Sequence, residues 1–184
     1  MAAHPADILN FWRAAGRQRW FEKDGAFDAA IRLKFEPTHH AAGRGEYDHW
    51  IENSDGALAL LILLDQFPRN LYRGSAHSWA ADPLARRIAS EAIERGHDKR
   101  FEGALRGFFY LPFEHSEDLA DQDRSVALCE AMKMETGDEG NLKWAIQHRD
   151  IIARFGRFPH RNRALGREAT AEEQAFLDEG GFAG

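Results

Sequence analysis

Valine occurs once in this chain of 184 residues, threonine three times and cysteine once. With nine isoleucines the only other β-branched residues, sheets are disfavoured. Alanine, leucine, arginine and glutamate suit helices and are plentiful. The lone Cys129 excludes an internal disulfide. It stands in a helical pattern with Val126, Ala127 and Met132, has no local base to activate it, and reads as a buried, inert thiol. The longest apolar run, Ala57 to Leu64, is far short of the roughly twenty residues of a membrane helix. The first residues lack the basic start and apolar run of a signal peptide, so the expectation is a cytoplasmic protein with no membrane partner. A basic excess is also missing. The formal charge of −6 and pI near 5.8 argue against a general nucleic-acid binder. There is no Gly-rich phosphate loop, dinucleotide fingerprint, His-Glu-x-x-His or Gly-x-Ser-x-Gly. His115 with Glu117 and His148 with Asp150 are weak metal-ligand pairs, so no metal is assigned and the cofactor stays unknown. His39, His40 and His49 read as surface residues.

What is present suffices for one compact all-helical domain over residues 1–184. Pro5 starts a first helix that runs to about Ala15. Asp24 caps a second, with Phe27, Ile31 and Phe35 on its inner stripe. Tyr47 to Glu52 is a short helical piece, and Ser54 or Asp55 caps a buried helix carrying Leu58 to Leu64. Asp82-Pro83 opens another that stops near Gly96. A segment from Phe101 to Leu111 breaks at Pro112, and Ser116 or Asp118 opens a helix to about Met134. Gly137 and Gly140 punctuate, Asn141 to Phe155 is helical, and Thr170 with Glu173 forms a capping box for a last short helix. Eight or nine helices with short connections suggest antiparallel hairpins stacked in pairs.

Four groups of residues carry chemistry. Asp65 is expected at the C-terminal end of the Leu58–Leu64 helix, where a carboxylate has the wrong sign for the helix dipole and needs cations such as Arg69 or Arg73. His148 shares a face with Trp144, Ile151 and Phe155 and points into the core. His115, Glu117 and Asp118 follow the break at Pro112. Arg154 to Arg167 is a tight turn dense in arginine, with His160 and Asn162 inside it; guanidinium forks suit carboxylate or phosphate oxygens. Residues 113–142 are strongly acidic and 143–167 strongly basic, so the blocks can answer each other. Phe67-Pro68 followed by Asn70 and Arg73 resembles Phe158-Pro159 followed by Asn162 and Arg167, through internal duplication or coincidence.

Three motifs are specific: Leu64-Asp65-Gln66-Phe67-Pro68-Arg69-Asn70, Leu111-Pro112-Phe113-Glu114-His115-Ser116-Glu117-Asp118, and Arg154-Phe155-Gly156-Arg157-Phe158-Pro159-His160-Arg161-Asn162. With Phe11-Trp12 and Trp20-Phe21, the chain resembles the bacterial family known as domain of unknown function 924, over residues 7–182. The resemblance implies an all-helical fold related to tetratricopeptide-repeat superhelices, and no activity. It marks Asp65, Gln66, Arg69, Asn70, His115, Glu117, Asp118, His148, His160, Arg161 and Asn162 as shared polar positions, without roles. The Trp-Leu-Gly-Tyr pattern of many helical repeats is absent here.

These residues support three readings. In a binding module, Gln66, Arg69, Asn70, Arg73, Arg157, His160, Arg161 and Asn162 hold a small anionic ligand or an acidic peptide. In a hydrolase or lyase acting on a small anionic substrate, His115 or His148 is the acid–base group, Asp65 or Glu117 orients it, and the arginines clamp the substrate. In a structural network, the same residues tie helix ends together.

Overall fold

The computed structural model describes residues 3–139 and 141–183; Gly140, a punctuation point in the sequence, lies outside them. Every regular element among the described residues is helical. Contacts gather the chain into two compact units, residues 1–73 with 77–112 and residues 74–76 with 113–184.

The first unit begins with α1 (Pro5–Phe21) and α2 (Gly25–Gly43). α1 is interrupted at Gly16, where φ is +76°, just after the expected end at Ala15. Only glycine adopts that angle without strain. Asp24 caps α2 by accepting from the Ala26 and Phe27 amides. α3 (Ser54–Leu61) is capped by Asn53, which accepts from Gly56 N, rather than by Ser54 or Asp55. α3 packs on α1, and α2 packs on α4 (Phe67–Leu71). Residues Ala57 to Leu64 are wholly buried.

The expected helix end at Leu64 does not occur. A π turn, Ile62–Gln66, continues the coil into α4, and Phe67 N donates to Ile62 O five residues back. Pro68 accounts for it: proline has no N–H for the carbonyl four residues earlier and its ring clashes there. A widened turn removes the clash while the chain continues. Asp65 is therefore inside a helical run and not a wrong-signed charge at its end. The freed Leu63 carbonyl is met by His39 Nδ1 at 2.8 Å. His39 is buried, contrary to its surface assignment.

α5 (Asp82–Glu94) packs on α3, and α6 (Gly103–Gly107) follows. Asp82 is its first helical residue, with Ala81 in the cap position. Pro112 breaks nothing; it lies in the first turn of α7 (Leu111–Glu114), where no helical N–H is needed. 

In the second unit α8 (Leu119–Thr136) starts at Asp118, which accepts from Ala120 N, and ends at Gly137 in the left-handed region. α9 (Leu142–Phe155) packs along α8. Its inner face carries His148 and Ile151, but Trp144 is 48% exposed and does not belong to it. α10 (Ala171–Asp178) has the expected capping box between Thr170 and Glu173. Cys129 is buried, and burial, helped by the Glu114 charge, pushes its thiol up to about 12.

Candidate functional site

In the first unit the π turn sets a charged cluster against the core. Asp65 is 1% exposed and accepts from Gln66 Nε2 at 2.5 Å. Arg69 Nη1 donates to the Asp65 backbone carbonyl and lies 3.4 Å from its Oδ1. The same guanidinium forks onto Asp82, 3.2 and 3.1 Å from its two oxygens. Burial alone would lower the Arg69 pKa, but Asp65 and Asp82 outweigh it and raise it. Asn70 and Arg73 turn to another carboxylate: Asn70 Nδ2 donates to Asp28 at 2.8 Å, and Arg73 grips both Asp28 oxygens at 2.6 and 3.0 Å. A groove of about 530 Å³ runs beside them, lined by Asp28, Arg32, Leu33, Asn70, Leu71 and Arg73.

In the second unit the Arg154–Arg167 turn is tied down in the same way. Arg167 makes a two-bond fork on Glu117, at 2.6 and 2.9 Å, and its Nε donates to Asn162. Asn162 in turn donates to Glu173, and Arg157 forks onto Glu173 at 2.6 and 2.9 Å. The Arg157 guanidinium, then the Thr170 amide, hold the Glu173 carboxyl at about 2 against a smaller burial penalty. Burial raises the Glu117 pKa, but Arg167 and the Phe158 amide bring it below the usual range. Both turns thus contain a fully buried phenylalanine, then proline, with a nearby asparagine and arginines directed at carboxylates.

The histidines form a different arrangement. His148 Nδ1 lies 2.8 Å from Trp144 O and 3.3 Å from Glu114 Oε1. A backbone carbonyl only accepts, so Nδ1 carries a proton. Glu114 and His148 are both buried, at 2% and 7% exposure. The His115 ring stands edge-on to His148, with centroids 6.4 Å apart. Phe158 joins the group: its ring is 5.5 Å from His148 and 5.5 Å from His160, and the Arg161 guanidinium sits 4.5 Å from its centroid. Arg161 Nη2 also donates to His115 O at 3.0 Å. Gln122 secures this corner by donating to Glu114 O and Ser116 O, each at 2.6 Å.

Of the residues singled out by sequence, His115, His148, His160 and Arg161 therefore meet in one place. Glu117, Arg157 and Asn162 belong to the adjacent clasp of the same unit. Asp65, Gln66, Arg69, Asn70 and Arg73 form the two clusters of the first unit. The carboxylate against His148 is Glu114, and neither of the two the sequence suggested: Asp65 meets Gln66 and Arg69, and Glu117 meets Arg167. Sequence reasoning also missed the buried Asp98–Arg106–Tyr110 set, in which Arg106 Nε donates to Tyr110 Oη at 2.7 Å and Tyr110 to Asp98 at 2.8 Å. The spacing of Arg106 and Tyr110, one helical turn apart, was the available signal. Among the described residues no group of three or more His, Cys, Asp or Glu is arranged to hold a metal, and no helix is long and apolar enough to cross a membrane.

The comparisons agree with this helical description. No curated protein matches the chain. A solved structure of a protein of unknown function from Agrobacterium tumefaciens is 52% identical, with a TM-score of 0.89, covering 96% of this chain and 97% of that one. The model of the family described as "Bacterial protein of unknown function (DUF924)" matches residues 8–181, and the chain belongs to that family.

Proposed function

We propose that the protein is a hydrolase or lyase acting on a small anionic substrate, with His148 as the general acid–base group and Glu114 as its orienting carboxylate. The observation that carries this reading is the buried Glu114–His148 contact, with the His115 ring edge-on to His148 and the Phe158 ring against both His148 and His160. A carboxylate or carbonyl on Nδ1 places a proton there and orients the ring, as in known acid–base histidines. His115 and His160 supply further imidazoles, and Arg161 supplies a cation on the same phenylalanine. Asp65, Gln66, Arg69, Asn70, Arg73, Arg157, Glu117 and Asn162 are clasps in this reading, because their donors and acceptors meet one another or nearby side chains of the same unit. A cytoplasmic setting suits the single buried free thiol.

A second reading has its own observation. The groove beside Asn70 and Arg73 has the size of a small-ligand site, and Arg32 and Arg73 give it cations for an anionic ligand or an acidic peptide. A thermal-shift screen of phosphorylated and carboxylated metabolites separates the two. The acid–base reading expects hits that vanish in His148→Gln and persist in Arg73→Gln. Hits with the opposite dependence belong to the groove and overturn it.

A further inference from the structure

Asn53 rather than Ser54 caps α3, which releases the Ser54 hydroxyl for another partner. Ser54 Oγ lies 3.0 Å from His97 Nδ1, a residue 43 positions later. His97 Nε2 in turn lies 3.0 Å from Ile51 O. A carbonyl only accepts, so Nε2 carries a proton; in the neutral ring Nδ1 is then the acceptor and Ser54 the donor. Local features hold this chain of bonds. α5 ends at Gly96, with φ of +73°, and the His97 amide donates back to Ala92 O at 2.9 Å, which fixes the histidine just past the helix end. Gly56 lets the turn Asp48–Glu52, which carries Ile51, lie against the start of α3: a Cβ there would fall 2.1 Å from Trp50 O. Ser54 is the first residue of α3, and the opening amides of a helix have no partner within it. Asn53 takes the Gly56 amide with its side chain and the Ala57 amide with its carbonyl. Among the described residues the Ser54 and Asp55 amides have no hydrogen-bond partner. Ser54 and His97 are partly exposed, and Asp55 is exposed.

We propose that Ser54 and His97 are a nucleophile–base pair for acyl transfer, acting on small uncharged carboxylic esters. The pair lies in the first unit and is independent of the Glu114–His148 reading. The Ser54 oxygen attacks the ester carbonyl carbon as its proton passes to His97 Nδ1. The carbonyl oxygen becomes an oxyanion and takes the Ser54 and Asp55 amides, at the positive end of the helix. Ile51 O keeps the ring oriented and stabilises the imidazolium, the part a carboxylate has in a Ser-His-Asp triad. The C–O bond to the alcohol breaks, and the alcohol leaves with the proton from His97. Water then adds to the acyl group on Ser54 through the same base, releasing the acid and restoring the serine hydroxyl. Glu52 and Asp55, exposed on either side of Ser54 in sequence, repel an anionic ester.

Labelling of the full chain by diisopropyl fluorophosphate, mapped by mass spectrometry, tests the pair. The folded protein should carry an adduct on Ser54, formed at least tenfold faster than in the urea-unfolded chain. The rate should fall at least tenfold in His97→Gln, which keeps a donor for Ile51 O and loses the base. Hydrolysis of p-nitrophenyl acetate above the buffer rate should drop at least tenfold in Ser54→Ala. No adduct at Ser54 overturns the proposal. Equal labelling in the unfolded chain or in His97→Gln overturns it too, as does equal hydrolysis in Ser54→Ala; each marks a hydrogen bond that only ties the end of α5 to the start of α3. The comparison of folded with unfolded chain needs no variant, so it decides even where a substitution prevents folding.

Discussion

His39 lies four residues after Phe35, on the stripe that Phe27 and Ile31 begin, and that spacing placed it indoors. The neighbouring His40 made the pair look like solvated surface. Burial pulls its pKa below the ordinary 6.5, so it is held neutral, with Nδ1 donating to Leu63 O. His39→Leu should therefore cost about 1–3 kcal/mol in urea unfolding, since it strands a buried carbonyl. A loss below about 0.5 kcal/mol would mean the carbonyl finds another donor. Glu114 was harder to read. It sits in one motif with His115 and Glu117, and nothing local says which carboxylate faces inward. The choice depends on α9, about thirty residues later, which brings His148 to it. The Asp28 contacts of Asn70 and Arg73 were hidden for the same reason, spanning 42 and 45 residues. Imidazole ¹⁵N spectra should show His148 protonated at Nδ1; an unprotonated Nδ1 would contradict the contact with Trp144 O.

At the scale of elements, local rules worked where the signal was local. The Asp24 and Asp118 caps, the Thr170–Glu173 box and the stop at Gly137 are each complete within five residues, and all four are present. Thr170→Ala should destabilise the second unit by about 1 kcal/mol, and Thr170→Ser by much less. Chemical denaturation of the two variants checks this; equal losses would mean the hydroxyl is not the cap. The rules failed where a proline has two local solutions. The end expected after Leu64 is replaced by a π turn that absorbs Pro68, and the break expected at Pro112 is the opening of α7. The apolar run from Ala57 to Leu64 gave the burial correctly and the helix end wrongly. The tertiary environment that lets the coil continue, His39 on Leu63 O and Arg69 on Asp65 O, is outside that run.

Over the whole molecule, the acidic and basic blocks do meet, through Arg149 with Asp123 at 3.0 Å and Arg167 with Glu117 at 2.6 Å. Exposed pairs such as the first contribute little, whereas the Glu173 and Glu117 clasps couple stability to pH. Glu173 titrates at about 2 in the fold against 4.5 unfolded. Its contribution is complete above 4.5 and is lost as pH falls toward 2. Glu117 is shifted in the same direction. His39, lowered from 6.5, stabilises fully above that value and loses its contribution as pH drops below it. Stability measured by urea unfolding across pH should thus fall in acid in two stages, one starting near 6.5 and one below 4.5. In His39→Leu the upper stage should shrink. If the upper stage is undiminished there, another group is responsible for it.

In the proposed enzyme Glu114 and His148 do the chemistry while the arginine turns hold the fold. Turnover of a substrate identified in the metabolite screen, compared between the unaltered protein, His148→Gln and Arg157→Gln at a temperature where all are folded, measures this directly. A general acid–base group contributes roughly 10²–10⁴-fold, so kcat should drop by that factor in His148→Gln and stay within about twofold in Arg157→Gln. Full turnover in His148→Gln would contradict the account.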